Sequence, residues 1–331
     1  MSGRILVTGA AGFIGAHLAH HLVSNGYQIH LVDNYSRGIR DPYLEALLST
    51  SGTTFSNIDL LDRSAVLKLG TNYQAIFHLA AIIGVTHVLE RPYEVMNNNV
   101  QILNNVIVLA QEQTNLSRFL FASTSEVYAG TLKYFDLIVP SPEKSPLAVT
   151  DVKDPRTAYM LSKIVGEAMC HHAGVPFTIF RPHNIYGPRM GMVHVIPELL
   201  KKAWKAERGG NIEVYSVDHQ RTFCYIDDAV EMLKRMLEKQ SCRGQTLNLG
   251  TQAPEVTIGE LANICIDTCG KMLSIKPATT TSGSPARRAP DMSIANRLLD
   301  YESKIELRDG IRRTWKWYQE NVFSNCGISA Q

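Results

Sequence analysis

A chain of 331 residues with 45% hydrophobic content is long enough to bury a large core, organised as one main domain with a smaller partner. Its 33 Lys and Arg balance 31 Asp and Glu, and a net charge of +2 argues against nucleic acid or a membrane surface as the main partner. Six cysteines, at 170, 224, 242, 265, 269 and 326, are scattered rather than framed, which suits a reducing compartment and offers no metal-ligand set. The apolar runs fit neither a signal peptide nor a bilayer span, so the expected location is the cytoplasm.

The β-formers Ile5, Leu6 and Val7 stop at a turn with glycines at 9, 12 and 15, and a helical apolar pattern follows at Phe13, Ile14, Leu18 and Leu22. Gly9 lets the strand turn sharply, Gly12 lets the backbone approach a pyrophosphate, and Gly15 lets the helix close on the strand. Taken alone, the spacing also fits an ordinary strand-to-helix turn. The continuation through a second strand, 27–33, ends in Asp33, placed to bind an adenosine ribose. A carboxylate there favours NAD over NADP, whose 2′-phosphate would meet a like charge. Arg37 and Arg40 follow in a polar loop, each either a solvated arginine or a receiver for that phosphate.

A third strand over 53–57 leads to Asp59 and Leu60, with Asp62 capping a helix through Leu69. The fourth strand, 75–81, ends in Ala80 and Ala81, small enough for backbone to lie against a cofactor. Pro92 opens a long helix with Val95, Val100, Leu103, Val106 and Ile107 on its apolar side. The fifth strand, 116–122, ends at Ser123-Thr124-Ser125-Glu126-Val127-Tyr128, hydroxyls and a carboxylate where open α/β sheets bind ligands. In a helix opened by Asp154 and Pro155, Tyr159 and Lys163 are four residues apart and share a face. A nearby ammonium stabilises phenolate and lowers the tyrosine pKa; an incidental pair on an amphipathic helix has the same spacing. A sixth strand, 177–181, completes a doubly wound parallel sheet of the Rossmann type. Asp227 and Asp228 read as caps of a helix over 229–237.

Together these residues resemble the extended short-chain dehydrogenase/reductase family, in its nucleotide-sugar epimerase, dehydratase and decarboxylase branch. The resemblance rests on residues 8–15, Asp33-Asn34, His78-Leu79-Ala80-Ala81, Asn99-Val100, residues 123–128, Tyr159 with Lys163, and residues 181–188. It implies an NAD-binding domain over 1–182 with return segments near 216–240, and a smaller α/β substrate domain over 183–331. It implies NAD held by Gly9, Gly12, Phe13, Ile14, Gly15, Asp33, Asn34, Asp59, Leu60, Leu79, Ala80, Ala81, Asn99, Tyr159 and Lys163. Tyr159 would take the proton of a sugar 4-hydroxyl, with Thr124 orienting it, Lys163 lowering the phenol's pKa, and Ser125 and Glu126 beside them. Asn184, His194, Val195, Arg221 and Arg288 would bind a UDP- or GDP-linked sugar.

The reaction turns on Thr124-Ser125-Glu126. Ser125 stands where the dehydratases carry an Asp. Thr-Ser-Glu resembles the UDP-glucuronate decarboxylases, some of which carry a functional arginine where Arg288 lies, and is also found in GDP-mannose dehydratases. The run His183-Asn184-Ile185-Tyr186-Gly187-Pro188 looks more like the epimerases, and epimerisation through a 4-keto sugar is favoured, with decarboxylation or 4,6-dehydration as alternatives. A non-catalytic NAD sensor or scaffold is the alternative of another class. An insert over 131–149 is expected to shape sugar specificity. A homodimer through the helix after Pro92 and the helix bearing Tyr159 is implied as well.

Overall fold

The structure is a computed structural model describing residues 3–280 and 284–324, so Cys326 lies outside the described residues. Six strands come in chain order, β1 (Arg4–Thr8), β2 (Ile29–Asp33), β3 (Thr53–Asn57), β4 (Tyr73–His78), β5 (Arg118–Ala122) and β6 (Phe177–Pro182). Thr246–Leu249 adds β7, and all seven pair in parallel in the order β7-β6-β5-β4-β1-β2-β3. The strands are apolar on both faces because both faces are covered: Ile5 and Val7 join one core layer and Leu6 the other.

The connecting helices include α1 (Phe13–Ser24), α2 (Pro92–Gln111), α3 (Arg156–His172) and α4 (Ile226–Glu238). Pro92 stands at the first turn of α2, where its missing N–H costs nothing, and Val95, Ile102, Leu103, Val106 and Ile107 bury its inner side. Asp62 caps Arg63–Leu67 by accepting from Ala65 N at 3.1 Å, and the helix stops short of Leu69. The chain returns to the main layer through α4, which packs on α1, and then through β7, beyond the 216–240 stretch.

Neither Asp227 nor Asp228 is a side-chain cap. The helix starts earlier, at Ile226, and the buried Asp228 carboxylate accepts from Tyr301 Oη at 2.7 Å and from the amides of Lys304 and Ile305. Asp227 instead pairs with Arg313 at 3.6 Å.

Small sheets follow beyond the main one, and Ile185 and Tyr186 of one of them line the cleft. Ile185–Tyr186 pairs with Cys224–Tyr225, and Gln220–Arg221 lies between Val256–Thr257 and Arg287–Arg288. Residues of the 131–149 insert reach the same region. Ser141 bridges Pro290, its N–H donating to Ala289 O at 2.8 Å and its carbonyl accepting from Asp291 N at 3.0 Å. Among the described residues, no helix is long and apolar enough to cross a membrane.

Candidate active site

The strand order reverses between β1 and β4, and their outgoing loops leave a crevice there. It widens into a cleft of about 990 Å³. Gly9 has φ +70°, and a Cβ on it would lie 2.7 Å from Ala80 N; one on Gly15 would lie 2.2 Å from Gly9 O. Only glycine lets the turn, the start of α1 and the β4 loop come this close. Amides of the first turn of α1 are thereby left facing the cleft, as a pyrophosphate requires.

Asp33 closes β2 beside that turn. Its carboxylate accepts from Ala11 N at 2.9 Å and Tyr35 N at 2.8 Å; burial raises its pKa and these bonds oppose the rise. Gly9, Gly12, Phe13, Ile14, Gly15, Asp33, Asn34, Asp59, Leu60, Leu79, Ala80, Ala81, Tyr159 and Lys163 all line the cleft. The cradle of small residues with an acid at the β2 end fits NAD.

Asn99 does not line the cleft. It is buried in α2, where its amide accepts from Ile82 N at 2.7 Å and donates to Ile82 O at 3.0 Å, pinning the loop after β4 from behind.

At the end of β5, Thr124 begins a short 3-10 turn, Ser125–Tyr128, its hydroxyl accepting from Glu126 N at 3.2 Å. The same hydroxyl favours the ionised form of Tyr159. Burial pushes the Tyr159 phenol well above its ordinary range and Glu126 adds to the rise, while the Thr124 hydroxyl and the Arg37 guanidinium oppose it. Lys163 does not hold the phenol in this structure. Its ammonium donates to Ala122 O at 2.7 Å, 5.9 Å from the Tyr159 ring centroid, and burial lowers its pKa to about 8. The loop arginine Arg37 acts on the phenol electrostatically, whereas the sequence offered it only as a solvated arginine or a receiver for a 2′-phosphate.

The Ser125 side chain is buried, and Glu126 pairs with Arg288 Nη1 at 3.1 Å. Arg288 faces Arg221 across adjacent strands, so the two arginines and one carboxylate form a cluster beyond Thr124. Burial, then the neighbouring Arg288, lowers the Arg221 pKa to about 10, with Glu126 opposing. Arg221 spends its donors on the segment carrying Arg288, reaching Ser284 Oγ at 2.9 Å and Pro285 O at 2.6 Å. Neither arginine lines the main cleft, whereas Asn184, His194 and Val195 do. Asn184 donates to Thr222 O at 2.9 Å from a backbone at φ +42°.

Beneath the site lies a buried polar network centred on Asn248 of β7, which sequence reasoning did not single out. Asn248 Oδ1 accepts from Tyr128 Oη at 3.0 Å and meets His183 Nε2 at 3.1 Å, and its Nδ2 donates to both Ser141 O and Asp291 O. Its backbone N–H donates to Glu143 Oε1 at 3.0 Å. Arg181 grips Glu167 in a two-bond fork and donates to Tyr128 Oη at 2.7 Å.

Comparison with known proteins agrees with this geometry. The model of the NAD dependent epimerase/dehydratase family matches residues 5–250. A UDP-N-acetyl-alpha-D-glucosaminuronate decarboxylase of Bacillus cytotoxicus is 30% identical over 97% of this chain and 99% of its own. UDP-glucuronic acid decarboxylase 1 of Arabidopsis thaliana is 31% identical, covering 97% of this chain and 71% of the relative. Among solved structures, a dTDP-glucose 4,6-dehydratase from Streptomyces venezuelae with NAD bound superposes with TM-score 0.82 at 26% identity, over 96% of this chain and 97% of that one. A UDP-glucose 4-epimerase from Thermotoga maritima gives 0.81 at 24%, over 96% and 99%. A glycine cradle at the switch point, an acid closing β2 and a family match running through β7 lead to one assignment: this chain belongs to the NAD-dependent epimerase/dehydratase family.

Proposed function

We propose that the chain oxidises a nucleotide-linked uronic acid at sugar C4 and releases its C6 carboxylate as carbon dioxide. The observation that carries this reading is the Glu126–Arg288 pair beside Arg221, a cluster with one net positive charge at the far side of Thr124 and Tyr159. The relatives named as decarboxylases support it.

Tyr159, as phenolate, takes the proton of the 4-hydroxyl while Thr124 holds that oxygen in place. Bound NAD supplies the acceptor for the C4 hydrogen and later its donor. The C4 ketone lies β to the C6 carboxylate, so the C5–C6 bond breaks with its electron pair passing to the C4 oxygen. The Tyr159 and Thr124 hydroxyls face that oxygen as it becomes an enolate. Arg288 orients the carboxylate before it leaves, C5 then takes a proton from solvent water, the one proton that the net loss of carbon dioxide consumes, and Tyr159 returns its own to the C4 oxygen as C4 is reduced. Arg37 and Thr124 offset part of the burial that keeps the phenol protonated.

The test is incubation with NAD and a panel of UDP-, GDP- and dTDP-sugars, uronic acids included, with products weighed. Loss of carbon dioxide supports the reading. An unchanged mass with a new stereoisomer replaces it by 4-epimerisation, loss of water by dehydration, and no turnover of any sugar by a sensor role. The homodimer belongs to the same proposal: α2 and α3 pack side by side, Tyr93 is exposed near the start of one and Val165 on the other, and sedimentation tests it.

A further inference from the structure

Arg189 leaves the substrate-side segment 187–190 with its backbone at φ +64°, a left-handed conformation that a bulky residue keeps only when its surroundings fix it. Its side chain is 4% exposed and crosses to the cofactor side. Nε donates to Asp41 Oδ2 at 2.7 Å and Nη2 to Asp41 Oδ1 at 3.1 Å. Nη2 also donates to Ile39 O at 3.2 Å and Ala11 O at 3.4 Å, and Nη1 to Gly12 O at 3.5 Å. One guanidinium therefore holds the glycine turn and the 33–41 loop together.

A second tie runs beside it. Burial keeps His17 neutral, lowering its pKa to about 4. A neutral imidazole has one N–H, and His17 Nε2 lies 3.0 Å from Pro188 O while Nδ1 lies 3.0 Å from Tyr43 Oη. The tautomer that satisfies both donates to Pro188 and accepts from Tyr43. The Tyr43 ring also lies 5.2 Å from the Arg189 guanidinium carbon.

We propose that Arg189 is a positioning residue for the dinucleotide loop, and that it couples NAD binding to occupancy of the nucleotide-sugar side. The coupling follows from chain continuity. The segment bearing Arg189 also bears Asn184 and His194, so a ligand that orders 184–194 orders the fork, and the fork orders the carbonyls of Ala11 and Gly12. Such linkage is reciprocal. The inference rests on the nucleotide-sugar reading for its second ligand, and not on decarboxylation.

The experiment titrates NAD into the full chain and follows intrinsic fluorescence, since Trp317 lines the cleft. Arg189→Met and Asp41→Asn are each expected to weaken NAD binding about tenfold or more, and Arg189→Lys to restore little, because an ammonium cannot make the fork. Asp41 also caps Pro42–Leu48 through Leu44 N, and Asn caps equally well, so Asp41→Asn tests the ion pair even where Arg189→Met does not fold. Adding UDP, GDP or dTDP is expected to tighten NAD binding by about fivefold or more in the wild type, for at least one of the three, and not in the variants. A folded Asp41→Asn protein that binds NAD like the wild type overturns the positioning role. If a diphosphate binds the wild type in its own fluorescence titration and leaves NAD affinity unchanged, the coupling is overturned; if none of the three binds, the nucleotide-sugar reading falls and the coupling with it.

Discussion

The Arg288 guanidinium meets the Glu126 carboxylate at 3.1 Å, with Arg221 opposite it in the neighbouring strand. An arginine so placed holds Glu126, and under the proposed decarboxylation it would also face the C6 carboxylate. Arg288→Met is expected to lower kcat/KM for a UDP-linked uronic acid on the order of 10²-fold, with NAD affinity unchanged by titration. Unimpaired turnover by this variant removes Arg288 from the reaction.

Tyr159→Phe removes the proton acceptor and is expected to cut turnover of every accepted sugar nucleotide by about 10²–10⁴-fold. The neighbours set where the phenol titrates. Glu126 raises its pKa, so Glu126→Gln lets phenolate form at lower pH, and the rising limb of kcat/KM moves to lower pH. Thr124 lowers it, so Thr124→Val moves the limb to higher pH. Limbs that move together, or not at all, refute Tyr159 as the titrating group.

His78 is buried beneath the site, its Nδ1 2.8 Å from Thr8 Oγ1, and burial lowers its pKa to about 3. Unfolded histidine titrates near its ordinary value of about 6.5, so between these values the unfolded chain binds more protons. The stability from a neutral His78 is present in full above about pH 6.5 and is lost as pH falls towards 3. His78→Asn is expected to flatten the fall of the unfolding free energy, read from urea titrations, over that range, by up to about 1.4 kcal/mol per pH unit. An equal slope in both proteins excludes this account.

Asn248→Ala would strand Tyr128 and His183 and release the carbonyls of Ser141 and Asp291, while the backbone N–H at 248 keeps Glu143. Unsatisfied buried groups cost about 1–3 kcal/mol each, so a loss of about 3 kcal/mol or more is expected in denaturant unfolding. A loss under about 1 kcal/mol contradicts the network's structural weight.

The sheet was legible because its strands are short apolar runs closed by glycine, small residues or an acid, and each run has a single plausible use. The cofactor cradle was legible for the same reason: Gly9, Gly15 and Asp33 serve local geometry and so leave a local trace. Arg37, Arg189 and Asn248 act on partners far away in sequence, and a single loop arginine or strand asparagine carries no sign of where its donors will go. Lys163 illustrates the converse. Its spacing from Tyr159 is right for a shared face, yet the Ala122 carbonyl at the end of β5 captures its ammonium first.

The bridge between Ser141 and Pro290 has a bearing on how this chain can be re-engineered. Ser141, Pro290 and the Arg288 beside it behave as one module although they lie far apart in the chain, because backbone bonds and Asn248 lock them into a common frame. Grafting the insert of a relative without its matching 284–291 stretch breaks that frame, whereas exchanging both together carries it over as a unit.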